Sequence, residues 1–242
     1  MNLTDLVYSQ YISKQIGKNN NCIECRICFE KLNKRKLKNG PVPIYHIGNR
    51  FDQLDKRVLF LGLVAYGWAD IYQDFKMWDD IFNKNEQAIK ETQEKMSIRI
   101  RDLYFTSTAR DSSFFYWLRR LTKGIYGNTE IAYDSIAISN FVKCNDASIR
   151  SPFKEETMSF CTSKEKGGYI IDEINTINPT HIVVLSTQYE YYNSIKHLIS
   201  EKGIRIKNFY HPSYPTDKDK WISKIRRNGQ KWVFFLDDCF KW

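Results

Sequence analysis

The period of the apolar positions changes repeatedly along this chain, and the changes mark out alternating helices and strands. Met1 to Ile16 carries Leu3, Leu6, Val7, Tyr11 and Ile12 at spacings that gather them on one side of a helix. A cysteine-bearing stretch follows and reads as a loop, leading into the punctuated segment Gly40-Pro41-Val42-Pro43. Arg57 to Leu63 (RVLFLGL) is instead a short, nearly unbroken apolar run, as expected of a strand buried on both faces of a parallel sheet. From Asp70 to about Leu103 the chain is polar, and the spacing of Phe75, Trp78, Ile81 and Phe82 predicts a helix. Ser113 to Leu121 (SFFYWLRRL) predicts a buried helix closed by Gly124, and Ser135 to Val142 a second strand. Tyr169 to Ile177 predicts a helix stopped near Pro179, while Thr180 to Ser186 and Ile204 to Phe209 predict the third and fourth strands. A basic helix follows His211-Pro212-Ser213-Tyr214, and Lys231 to Leu236 ends the pattern as a strand or packed tail.

Such alternation predicts an α/β domain of three layers, α/β/α, with a mainly parallel central sheet. The 242 residues suit one domain, residues 1–242, without internal repeat or low-complexity linker. Apolar residues at 42% and aromatics at 15% are enough to build its core. No apolar run approaches the ~20 residues of a membrane span, and the N-terminus lacks the apolar stretch of a secretory signal. These features predict a cytoplasmic monomer without membrane contact, in which cysteines serve as ligands more often than as disulfides.

Charge adds a partner class. The 37 basic residues exceed the 28 acidic ones to give a net charge of +9, which suits a polyanion, nucleic acid first. One basic cluster (Arg26, Lys31, Lys34, Arg35, Lys36, Lys38) lies beside the first cysteines. Another (Lys218, Lys220, Lys224, Arg226, Arg227, Lys231) is interleaved with Trp221 and Trp232. Cations for phosphates beside flat rings for bases make a nucleic-acid surface; a solvated charged face over buried tryptophans gives the same pattern.

Four of the six cysteines fall into two distant pairs, Cys22 with Cys25 and Cys144 with Cys161. The second pair flanks NDASIRSPF, just after the second predicted strand. Soft thiolates drawn together by folding select zinc or an iron–sulfur cluster. Function in open parallel sheets collects at the carboxyl ends of strands, which here read GLVAYGW, NFVKC and HPSY. Together these motifs resemble the uracil-DNA glycosylase superfamily, most closely its iron–sulfur branch. The resemblance is carried by Cys22 and Cys25, Val58 to Gly62, Asn140 to Cys144, Arg150 with Pro152, Cys161, Glu173 to Leu185 and His211 to Ser213. It runs from about Cys22 to Tyr214, with residues 71–107 as a helical insertion.

The resemblance implies a uracil-DNA-glycosylase-like fold and a structural 4Fe–4S cluster on Cys22, Cys25, Cys144 and Cys161, with zinc as the alternative and Cys28 as a substitute ligand. It implies DNA as partner and a flipped base as substrate. Asn140 would read the base through its amide; a strand-end cap is its plain structural role. Tyr66 or Phe114 would stack on the base or wall off one edge, and each could equally be core. His211 would donate a hydrogen bond to the base oxygen as negative charge builds on the leaving group. Ser213, Tyr214, Lys218 and Lys220 would touch the DNA backbone, with Tyr214 wedging into the vacated stack.

One motif departs from the superfamily's pattern. Gly62-Leu63-Val64-Ala65-Tyr66-Gly67-Trp68 has apolar residues where a carboxylate or asparagine normally orients water. Asp111 or Asp70 would then take that role, although either could cap a helix. The departure suits either a glycosylase acting on a base other than uracil, such as a modified base of phage DNA, or a non-catalytic nucleic-acid-binding module. The biological role is left open between repair and defence against foreign DNA.

Overall fold

The structure, a computed structural model, describes residues 3–16, 21–33, 44–62, 85–108, 112–143, 155–163, 168–185 and 195–209. Among the described residues its centre is a five-stranded sheet: β1 (His46–Ile47), β2 (Val58–Gly62), β3 (Ile136–Asn140), β4 (His181–Leu185) and β5 (Arg205–Phe209). They lie in the order β1-β3-β2-β4-β5. Only β1 is antiparallel, pairing His46 with Ile138; β3, β2, β4 and β5 are mutually parallel. The chain is thus α/β with a mostly parallel sheet, as the unbroken apolar runs predict.

Alternation along the strands sorts the core into two layers. Leu59, Leu61, Ala137, Ile182 and Val184 face one side, packed by α1 (Leu3–Ile16), α7 (Tyr169–Ile177) and α8 (Lys196–Lys202). Val58, Phe60, Ile136, Ile138, Val183 and Leu185 face the other, packed by α3 (Glu86–Thr106) and α4 (Ser113–Tyr126). Helices α2 (Asn21–Asn33), α5 (Thr129–Ser135) and α6 (Glu155–Thr162) complete the described α-helices, and Phe51–Gln53 forms a short 3-10 turn.

Several expectations need correction. The stretch expected to be a cysteine loop is α2, a helix. Nothing between Asn21 and Asn33 breaks a helix, Glu24 and Lys31 suit its two ends, and Arg26 and Glu30 pair at 2.9 Å one turn apart. Helix α4 runs through Gly124 and ends at Gly127, whose φ of +77° needs glycine. The second strand is shorter than predicted, because Ser135 closes α5 and the pairing to β1 and β2 covers five residues. Residues 86–106, within the stretch expected to be helical, do form a helix, α3, which buries Met96, Ile100 and Tyr104 in the core. Arg119 of α4 ties the end of α3 down by donating to the Tyr104 and Ser107 carbonyls at 2.7 and 2.9 Å, where the C-terminus of α3 favours a cation.

Two buried histidines are expected to make the fold acid-sensitive. His46 stacks on Tyr133 with ring centroids 3.7 Å apart and donates from Nε2 to the Tyr133 carbonyl at 2.7 Å. Burial lowers its pKa to about 4, although the Tyr133 carbonyl favours the charged form. His181 is also lowered to about 4, by burial first and then by Arg205 and Lys56. Both are neutral in the folded chain above the ordinary histidine range, so their full stability is present there. As pH falls from about 6.5 toward 4 the unfolded chain binds the protons first, and stability drops by on the order of 1–3 kcal/mol for His46 and by less for His181. Urea titrations across this range are expected to show that fall, with a shallower slope in a His46→Gln/His181→Gln chain. An identical slope would show that other groups govern the acid response.

Candidate functional site

The site is organised around the carboxyl end of β3. Consecutive strand residues face opposite layers, so Ser139 reaches toward α7 while Asn140 lies on the α4 side. Two different arrangements are therefore joined through one peptide bond.

On the α4 side the register sets Asn140 directly opposite Gly62, and Phe141 N–H continues the pairing to the Gly62 carbonyl at 3.0 Å. A Cβ added at Gly62 would lie 2.2 Å from Asn140 Oδ1, 3.3 Å from its Cγ and 3.9 Å from the Phe114 ring. Only glycine leaves the amide room to lie across the end of β2. Asn140 Nδ2 donates to the Tyr45 hydroxyl at 3.1 Å, and both residues are buried. Phe114 enters from the first turn of α4, half-buried and edge-on to Phe115 with centroids 5.1 Å apart. Asn140 and Phe114 thus both border the space at Gly62, an amide able to donate and to accept alongside a flat ring.

The α7 side holds a buried ion pair. Lys143 Nζ donates to Glu173 Oε2 at 2.7 Å and to Ser139 Oγ at 2.6 Å, and the serine hydroxyl in turn donates to the same carboxylate oxygen at 2.6 Å. The Lys143 and Glu173 side chains are 0% and 2% exposed. Glu173 Oε1 is buried without a hydrogen-bond partner among the described residues. Cys161 of α6 is buried in the same core layer and hydrogen-bonded to the Lys143 backbone. Burial pushes its thiol pKa up; the Lys143 backbone and charge oppose this, and the Glu173 carboxylate adds to it.

Topology brings the cysteine segments to this side. Helix α2 packs on α6, and α6 on α7, so the helix bearing Cys22, Cys25 and Cys28 lies against the helix bearing Cys161. Three-residue spacing keeps Cys22 and Cys25 on neighbouring positions of one helix face, and Cys25 is buried while Cys28 is half-buried. Cys161 touches Lys143, the residue immediately before Cys144. Cys25, Cys28 and Cys161 are in no disulfide, and a metal would offset the cost of burying such groups as thiolates. Among the described residues no three His, Cys, Asp or Glu are grouped to hold a metal; Cys144 and the Cys22 side chain lie outside them.

Tyr66, Asp70, Asp111, His211, Ser213, Tyr214, Lys218 and Lys220 also lie outside the described residues. The N-cap position of α4 is taken by Ser112, two residues ahead of Phe114. Among the described residues, a cleft lined by Leu3, Thr4, Leu6, Ile47, Asn49 and Asp52 opens beside α1, and Asn140 is not in its lining. No helix among the described residues is long and apolar enough to cross a membrane.

Sequence reasoning missed Tyr45, the spatial role of Gly62 and the Lys143–Glu173 pair. The pair had a signal: a lone lysine inside the apolar run FVKC and two adjacent acids inside YIIDEI. Tyr45 had none. No protein-family model matches the chain, and no curated protein does either.

Proposed function

We propose that this chain is a monofunctional DNA glycosylase with a uracil-DNA-glycosylase-like fold, removing a flipped uracil or modified base. The observation that carries this reading is Asn140: a buried amide held across Gly62 at the carboxyl end of a central strand, with the Phe114 ring beside it. Strand order supports it. Chain connections leave β2 and β4 toward opposite edges of the sheet, which makes their carboxyl ends the place where α/β sheets bind ligands. Asn140 stands one strand away.

In this reading the base leaves the stack and presents a donor–acceptor edge to the Asn140 amide, with Phe114 against one side of the ring. The C1′–N bond breaks through an oxocarbenium-like sugar. Water oriented by Asp111 or Asp70 adds its oxygen to C1′, and His211 stabilises the charge on the departing base, which takes up the proton. Tyr66 bounds the pocket; Ser213, Tyr214, Lys218 and Lys220 hold the DNA backbone. Lys143 is engaged with Glu173 and Ser139, so it is not a Schiff-base nucleophile, and no strand cleavage is expected.

Cys22, Cys25, Cys144 and Cys161 would hold a 4Fe–4S cluster, or zinc as the alternative. Either supplies a structural tie between α2, α6 and the segment after β3. Anaerobically purified protein is expected to be brown and iron-loaded, and Cys161→Ser is expected to lose both colour and iron and to melt earlier. Zinc in elemental analysis of a colourless protein supports the alternative; a metal-free protein of unchanged melting temperature would refute both.

The apolar run that follows Gly62 favours a second reading, a nucleic-acid-binding module without catalysis. Aldehyde-reactive labelling of abasic sites separates the two, using uracil-containing, deaminated and phage-derived DNA. Abasic sites that vanish in Asn140→Ala support the enzyme. Salt-dependent binding without base loss on any DNA supports the module.

A further inference from the structure

The outer face of α4 carries chemistry that the pocket does not use. Phe115, Leu118, Leu121 and Thr122 are buried, and this stripe turns Tyr116, Arg120 and Lys123 outward, with Trp117 between that face and the flank bearing Phe114. The Arg120 guanidinium sits over both aromatic rings, 5.6 Å from the Tyr116 centroid and 5.7 Å from that of Trp117, and donates to the Tyr116 hydroxyl at 2.9 Å. Helix α4 has three basic residues and no acidic one. Arg119 is occupied by the carbonyls at the end of α3, which leaves Arg120 and Lys123 as the outward cations. The rings lie in the first two turns, at the end of the helix where Phe114 and Asn140 border the space at Gly62.

We infer that the outer face of α4 is a docking surface for single-stranded nucleic acid, with Trp117 and Tyr116 stacking on unpaired bases and Arg120 and Lys123 on the adjoining phosphates. Positive charge without acidic neighbours on the helix suits a polyanion, and flat rings interleaved with arginine suit bases of any sequence. A duplex hides its base faces, so the surface distinguishes unpaired from paired strands. The inference deepens the glycosylase reading by naming where the strand beside the flipped nucleotide would run, yet its test is a binding measurement that needs no catalysis.

Fluorescence anisotropy with a labelled 20-nucleotide single strand, across a salt series, reads the effect. Trp117→Ala is expected to weaken binding about ten-fold, whereas Trp117→Phe, which keeps a flat ring, should stay within about three-fold of wild type. Arg120→Glu is expected to weaken binding about ten-fold and to lower the slope of log affinity against log salt by about one, while Arg120→Lys keeps the slope. The same duplexed sequence should be nearly indifferent to Trp117→Ala. Affinities within two-fold of wild type for Trp117→Ala and Arg120→Glu, in chains with wild-type melting temperatures, would overturn the inference. Base release is measured on the same DNA: release by a wild type whose variants bind normally removes the docking surface alone. Weakened variants of a protein that releases no base leave the surface standing and remove the enzymatic reading.

Discussion

Glu173→Ala is expected to cost about 3–5 kcal/mol, because it strands the Lys143 ammonium in a core with no other carboxylate paired to it among the described residues. A domain's entire stability is on the order of 5–15 kcal/mol, so this one change should move the urea midpoint far down. The loss comes from an uncompensated buried charge more than from forfeited attraction, which gives a second expectation of opposite sign. A Lys143→Met/Glu173→Leu chain, with both charges removed, should recover most of the stability. A Glu173→Ala midpoint equal to wild type would mean that the pair is hydrated and the packing around Ser139 is looser than described. The same substitution also probes the cysteine side, because Lys143 touches Cys161 through its backbone.

Gly62→Ala is expected to damage the site more than the fold. The new methyl would overlap Asn140 Oδ1, 2.2 Å from the ideal Cβ position, so the amide must swing away or the strands must part. Strand separation is opposed by the parallel pairing of β2 with both β3 and β4, so the side chain yields, losing its bond to Tyr45. In the glycosylase reading this removes the group that reads the base, and base release should fall about 100-fold or more, on the scale of losing one fixed polar contact to the reacting group. The cost in stability should be about 1–3 kcal/mol, as for other overpacking changes. Single-turnover base release and urea denaturation of the same chain separate the two effects. Full activity would show that Asn140 does not contact substrate.

Much of the fold was legible because it rests on local pattern. The parallel strands announce themselves as apolar runs, RVLFLGL and THIVVLS, since a strand covered on both faces has no polar side to alternate with. Helices α4 and α7 are as plainly amphipathic in sequence as in space. Less was legible where tertiary contacts decide. Antiparallel β1 has only two residues and exists because Tyr45 and Gly48 bond to the β3 backbone. Helix α2 was hidden by its cysteines, whose spacing suits a ligand loop as well as a helix face. Gly124 suggested a stop, yet an interior glycine costs a helix only about 1 kcal/mol, and the Leu118–Leu121 packing outweighs it. At the site, Asn140 and Phe114 are implied by the resemblance that NFVKC and the neighbouring motifs carry. That both border Gly62 depends on its register, which no local window contains.

Whether Asn140 faces a nucleobase is tested most directly by mass spectrometry of free bases released from uracil-containing, deaminated and phage-derived DNA by wild type and by Asn140→Ala. A discrete base is expected from at least one DNA with wild type, falling by about 100- to 1,000-fold in the variant while melting temperature and single-strand binding are kept. No base released from any DNA by a folded, metal-loaded wild type, or equal release by Asn140→Ala, would contradict it.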